Sequence, residues 1–217
     1  MTQTSNTGKK SLELAQLALF TALILLLAFI PGIGYIPLGV TRATIIHVPV
    51  IIGSIVLGPK MGAVLGGVFG ITSLINNTIA PTATSFVFTP FYEVAGIGGN
   101  FWSLVICLVP RILVGVVPYF VFKGLMKLLN KLKGKETVSL IIAGVLGSMT
   151  NTVLVMSMIY IFFGKSYAAA RGITYEALLG GIMGVVGING VLEAITAAIL
   201  ACVISKVLFQ IAKRHRA

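Results

Sequence analysis

Residues 40–62 read VTRATIIHVPVIIGSIVLGPKMG. The run from Ile45 to Leu57 is almost wholly apolar, yet Arg42 stands before it, His47 and Pro49 lie inside it, and Gly58-Pro59-Lys60 ends it. It reads as a short membrane segment with a polar mouth and a tight turn at its far end. The rest of the chain supports that reading. Of its 217 residues, 57% are hydrophobic and 10% are charged, against about 25% charged in a soluble domain. The expected fold class is an all-α integral membrane protein, one domain over residues 1–217.

A helix needs about 20 apolar residues to cross the hydrocarbon core. Six spans are expected, at about 12–30, 43–57, 61–77, 100–122, 138–163 and 178–206, with a polar N-terminal segment over 1–11. The first is too long for a signal-peptide core and no A-x-A site follows it. Charge sets the orientation. With both termini in the cytoplasm, the inner segments hold Lys9, Lys10, Lys60, Lys123, Lys127, Lys131, Lys133, Lys135, Lys206, Lys213, Arg214 and Arg216. The outer segments hold only Arg42, Lys165 and Arg171. That asymmetry is the positive-inside pattern. It also accounts for most of the net charge of +11: the basic loop 123–137 and the C-terminal tail face anionic lipid of the bilayer, and no nucleic acid is needed.

The outer stretch 78–99, TIAPTATSFVFTPFYEVAGIGG, is long for a connection, and a connection of that length is usually functional or disordered. Its rings at Phe86, Phe88, Phe91 and Tyr92 argue against disorder. It reads as a lid over an outward-facing cavity.

Close packing in lipid favours small residues on helix faces. Gly62, Gly66 and Gly70 recur every four residues, and Gly180, Gly184, Gly187 and Gly190 offer a second set. Both suit helix packing. Ala18 and Ala22 suit either packing or docking of another membrane subunit. Cys107 and Cys202 lie in apolar runs without metal-ligand spacing and read as buried hydrophobes.

An ionised side chain at the centre of a span costs about 2.5–3.5 kcal/mol on insertion scales. Arg111 and Glu193 stand mid-span. They either pair with each other or reach a ligand; an arginine fork suits a carboxylate, and a carboxylate suits hydroxyl or amide donors. Asn76, Asn77, Asn100, Asn151 and Asn189 lie in spans or at their outer ends, where an amide can both donate and accept. The candidate substrate-binding set is Arg111, Asn151, Asn189, Glu193, Asn77, Tyr92, Asn100 and Arg42. Glu93 and Trp102 border the lid, and His47 reads as a hydrogen-bonded structural histidine. No catalytic or metal set is found. Gly164-Lys165-Ser166 has the end of a phosphate-binding loop, but Ile159 stands where its first glycine belongs. No cofactor and no ATPase site are expected in this chain.

The joint placement of ALFTA in span one and HVPVIIGSIVLGPKMGAVLGGVFG across spans two and three resembles the substrate-binding S components of energy-coupling factor transporters, the vitamin importers of bacteria and archaea. The family pattern of Pro, an apolar run and Gly-Pro-x-x-Gly matches Pro49, Gly58, Pro59 and Gly62. The stretches IPLGVTRATIIHVPVIIGSIVLGPK and SFVFTPF are most similar to pantothenate-specific members. The resemblance implies a multi-pass protein of the bacterial plasma membrane that binds its vitamin from outside with high affinity, near the outer half of spans four to six. It implies a transmembrane coupling subunit and two cytoplasmic ATPases as partners, the latter using ATP, and delivery by reorientation in the membrane. It assigns Ala18 and Ala22 to the docking face. Another vitamin (riboflavin, folate or hydroxymethylpyrimidine) and an autonomous ion-coupled transporter are the alternatives.

Overall fold

The computed structural model describes residues 2–214 except 31, 33, 39 and 40; for 2–9, 36–38 and 41–43 it describes the backbone alone. Helix α1 (Thr2–Phe29) leads into an antiparallel hairpin of β1 (Tyr35–Leu38) and β2 (Thr41–Thr44), with Tyr35 opposite Thr44. Helices α2 (His47–Leu57) and α3 (Pro59–Ile79) follow. A loop with a 3-10 turn at Ser85–Val87 and a minimal hairpin, β3 (Glu93–Val94) and β4 (Ile97–Gly98), leads to α4 (Phe101–Val114). The chain continues through α5 (Val117–Leu128), α6 (Lys135–Ala170) and α7 (Tyr175–Val185). A π-helical turn, Val186–Gly190, joins α7 to α8 (Val191–Arg214).

Among the described residues, five helical stretches are long and apolar enough to cross a membrane: Lys10–Phe29, Pro59–Ile79, Phe101–Leu128, Lys135–Ala170 and Tyr175–Arg214. The second expected span is different. Helix α2 has eleven residues, about 16 Å at 1.5 Å per residue, against roughly 30 Å of hydrocarbon. All its residues from His47 to Ile55 are buried, among α1, α3, α5, α6 and α8. A helix enclosed on every side must be apolar all round, which is why its sequence shows no polar face. Pro49 falls in its first turn, where a helical N–H lacks an intrahelical partner in any case. Gly58 (φ +96°) ends α2, its N–H donating to the Ser54 carbonyl at 3.0 Å, and Pro59 begins α3.

The glycines of α3 seat α4 against it in antiparallel register. A methyl at Gly62 would overlap the Gly115 carbonyl and one at Gly66 the Arg111 carbonyl; at Gly70 it would stand 3.2 Å from the Cys107 carbonyl oxygen. On the other side of the bundle, Gly144 of α6 meets Ala197 and Ala198 of α8. The second expected glycine face is not a packing face. Gly180, Gly184 and Gly187 have nothing within 4 Å of a Cβ position, and only Gly190, against Thr152, packs. Ala18 and Ala22 are exposed on α1 as well, so they do not pack within the chain.

Two boundaries shift. Helix α6 runs on to Ala170 and takes in Gly164-Lys165-Ser166, and α5 carries Lys123 and Lys127, so the basic connection shortens to residues 129–134. The register of α3 with α4 and of α6 with α8 gathers Lys60, the lysines of 123–135 and the end of α8 at one end of the bundle. The hairpin, the loop 80–100 and the α6–α7 turn gather at the other.

Candidate functional site

Because α2 is short, space remains beyond its N-terminal end. A cavity fills it, with about 820 Å³ of empty space that includes the solvent at its open side. No residue of α2 is among its described lining. Tyr35 and Thr44 come from the hairpin, Thr82, Thr84 and Phe88 from the long loop, and the rest from α3, α4, α6, the end of α7, the π turn and α8.

Arg111 reaches this cavity from α4 and is only 6% exposed. Its guanidinium lies 5.7 Å from the Phe69 ring centre and 5.0 Å from that of Phe88, so one ring from α3 and one from the loop hold the charge. Its Nη1 donates to the Ile106 carbonyl at 2.7 Å. Its Nε is buried and has no hydrogen-bond partner among the described residues.

Glu193 enters from α8. Its Oε1 accepts the Thr44 N–H at 2.7 Å and its Oε2 the Thr152 hydroxyl at 3.3 Å. The carboxylate therefore ties the hairpin and α6 to α8. No ion pair joins it to Arg111 among the described residues, so the two intramembrane charges line one cavity without neutralising each other by contact. The π turn bears on this side. It carries Asn189, and Glu193 follows four residues later, so both side chains come to the cavity. π-Helical turns interrupt helices mostly at functional positions.

The amides divide by what they already bind. Asn151 lines the cavity and its buried Oδ1 has no hydrogen-bond partner among the described residues. Asn77 also lines it, but both ends of its amide are engaged: Nδ2 donates to the Ser73 carbonyl at 2.9 Å and Oδ1 accepts the Ser85 hydroxyl at 2.8 Å. It fastens the long loop to α3. The loop is anchored again where the Ser103 hydroxyl donates to the Phe86 carbonyl at 2.7 Å, and Phe86 meets Phe163 edge-on at 5.8 Å. Ser85, Phe86 and Val87 are fully buried, so the roof is a packed plug.

Two candidates lie elsewhere. Asn100 caps α4, accepting the Trp102 N–H at 2.8 Å while its own N–H donates to the Ser103 hydroxyl at 3.0 Å. Tyr92 packs against the buried cluster around Phe86. Neither lines the cavity, because each already serves the local fold. Asn100→Ala is therefore expected to cost about 1 kcal/mol of stability, read as a lower thermal midpoint, with ligand affinity unchanged. The Arg42 side chain lies outside the described residues. His47 is buried against the Thr44 and Glu193 backbone, the surroundings of a structural histidine.

The residues that sequence reading passed over are Tyr35, Thr44, Ser73, Phe69, Phe88 and Thr152. Tyr35 matters most: its hydroxyl is buried in the cavity beside the Ser73 and Thr72 side chains, with no hydrogen bond of good geometry among the described residues. Burial pushes that phenol above its usual range, with the Arg111 charge opposing, so the hydroxyl stays neutral and can donate.

Comparison with known proteins places this cavity in context. Residues 12–205 match the family model "ECF transporter, substrate-specific component". The chain belongs to this family. This S component is 40% identical over 200 residues to the pantothenic acid transporter of Lactococcus lactis subsp. cremoris, covering 90% of its own length and 92% of the relative. It is 34% identical over 199 residues to the pantothenate transporter of Leuconostoc mesenteroides, covering 90% and 91%. Like other members it is a multi-pass protein of the bacterial plasma membrane and a transport component.

Proposed function

We propose that this S component binds pantothenate from the outer side of the membrane. Pantothenate carries a carboxylate at one end, an amide in the middle and two hydroxyls at the other end. The observation that carries the reading is chemical. Tyr35 Oη, Arg111 Nε and Asn151 Oδ1 are buried polar atoms with no hydrogen bond of good geometry among the described residues, and all three residues line one cavity. Unpaired buried polar groups are costly, and together these three supply donors and an acceptor for a small polar acid. In this reading Arg111 takes the carboxylate. Asn151, Asn189, Tyr35 and Glu193 read the amide and hydroxyls.

The bundle crosses the membrane six times, α2 acting as a short, protein-enclosed crossing, with both termini and the basic end in the cytoplasm. Ala18 and Ala22, exposed on the lipid-facing α1, dock a transmembrane coupling subunit. Two ATPases attached to it use ATP, and reorientation of this chain delivers the vitamin. The chain holds no nucleotide itself.

The test is calorimetric titration of the purified chain in detergent, without ATP, against pantothenate, riboflavin, folate and hydroxymethylpyrimidine separately. Submicromolar binding of pantothenate alone, at about one per chain, is expected. Binding of a different vitamin, or of none to a folded chain, overturns the assignment. Uptake by the chain alone in vesicles, driven by an ion gradient, establishes an autonomous transporter instead.

A further inference from the structure

Pro110 lies inside α4, one residue before Arg111. In a regular α-helix the N–H of residue 110 would donate to the carbonyl of residue 106. Proline has no N–H, so the Ile106 carbonyl is left without its helical donor in a buried segment. Arg111 supplies one: its Nη1 reaches that same oxygen at 2.7 Å. The proline makes the vacancy and the next side chain fills it.

We infer that Pro110 is a positioning residue for substrate recognition, which fixes Arg111 by giving its guanidinium a backbone acceptor that an ordinary helix would not offer. The inference rests on the reading of Arg111 as the partner of the ligand carboxylate. A guanidinium is planar, with its N–H donors in a rigid fork. Tying Nη1 to the Ile106 carbonyl, with the Phe69 and Phe88 rings nearby, leaves one orientation for the plane and keeps Nε and its neighbouring donors for the cavity. A free arginine would have to order this side chain at each binding event, and ordering a long side chain opposes association. Pro110 removes that cost in advance.

The Pro110→Ala variant restores the amide and returns the Ile106 carbonyl to the helix. Two ligands separate the effects: pantothenate, and its uncharged alcohol analogue pantothenol, in which CH2OH replaces the carboxylate. In the full chain in detergent, Pro110→Ala is expected to lower the preference for pantothenate over pantothenol about tenfold, with pantothenol affinity nearly unchanged. A double-mutant cycle sharpens the result. If Pro110 acts through Arg111, adding Pro110→Ala to Arg111→Ala costs no further pantothenate affinity. Equal losses for both ligands, or the same loss in both backgrounds, overturn the inference and make Pro110 a packing residue.

Should Pro110→Ala not fold, Arg111→Lys carries the test with the proline intact. An ammonium tied to the Ile106 carbonyl presents no fork, so the preference for pantothenate is expected to fall about tenfold; a preference within about twofold of the parent overturns the inference. A parent protein with no preference for pantothenate over pantothenol sinks the carboxylate reading itself, and the role of Pro110 with it.

Discussion

Replacing Arg111 by alanine is expected to weaken pantothenate binding by about 100-fold or more. Removing one partner of a desolvated charge pair costs about 2–5 kcal/mol, and each 1.4 kcal/mol is about tenfold in affinity. Arg111 is 6% exposed and makes no ion pair among the described residues, so in the proposed complex the ligand carboxylate is its partner. Pantothenol, without that charge, is expected to lose less than about threefold. Titration of both ligands into the variant reads the difference directly. Equal losses would mean that the arginine holds the fold rather than the acid. The variant also strips the Ile106 carbonyl of its donor, so a fall of about 1 kcal/mol in stability is expected beside the affinity change and is measured separately by thermal unfolding.

Arg111 and Glu193 were legible because an ionised group in a span has a known cost, and a chain that keeps one must use it. Asn151 and Asn189 were legible on the weaker ground that an amide in hydrocarbon needs a partner. The same rule does not place Asn100, which caps α4 outside the cavity lining: an amide at a helix start caps as readily as it binds, and sequence position alone does not separate these uses. Tyr35 was not legible. It sits in IPGIGYIPLG, residues 30–39, whose glycines and prolines signal only a connection. Its place in the cavity comes from the hairpin, which sets it across from Thr44. Thr44, Ser73 and Thr152 escaped because a hydroxyl can bond to a nearby carbonyl within its own helix or turn and so carries little cost. The π turn left only a faint trace, Gly187 and Gly190 on either side of Asn189.

The short α2 was visible in the opening stretch, and its consequence was not. A six-span count treats it as one helix among equals. The structure makes it a short, buried helix beside full-length neighbours, and the cavity is lined by those neighbours, the hairpin and the loop. His47 and Pro49 lie in its first turn, shortly after the strand that gives Thr44 to Glu193.

Gly66→Ala is expected to lose both stability and ligand affinity, whereas Gly184→Ala loses neither. Both positions belong to glycine repeats that look alike in sequence. A methyl at Gly66 would overlap the Arg111 carbonyl and stand 2.8 Å from the Ile112 Cα, both backbone atoms that no rotamer change can move aside. Helix α4 must then back away from α3, at a cost of about 1–3 kcal/mol for overpacking. The displaced segment is the one that carries Arg111, and the Phe69 ring that holds its guanidinium is on α3, so separating the two helices pulls the binding group from its support. An affinity loss of about tenfold is expected in molecules that remain folded. A methyl at Gly184 meets nothing within 4 Å, and the stability of Gly184→Ala should match the parent to within about 0.5 kcal/mol. Thermal unfolding in detergent and pantothenate titration test the pair side by side. If Gly66→Ala binds as tightly as the parent, the α3–α4 contact does not govern where Arg111 sits, and the guanidinium is positioned by α4 and the loop alone.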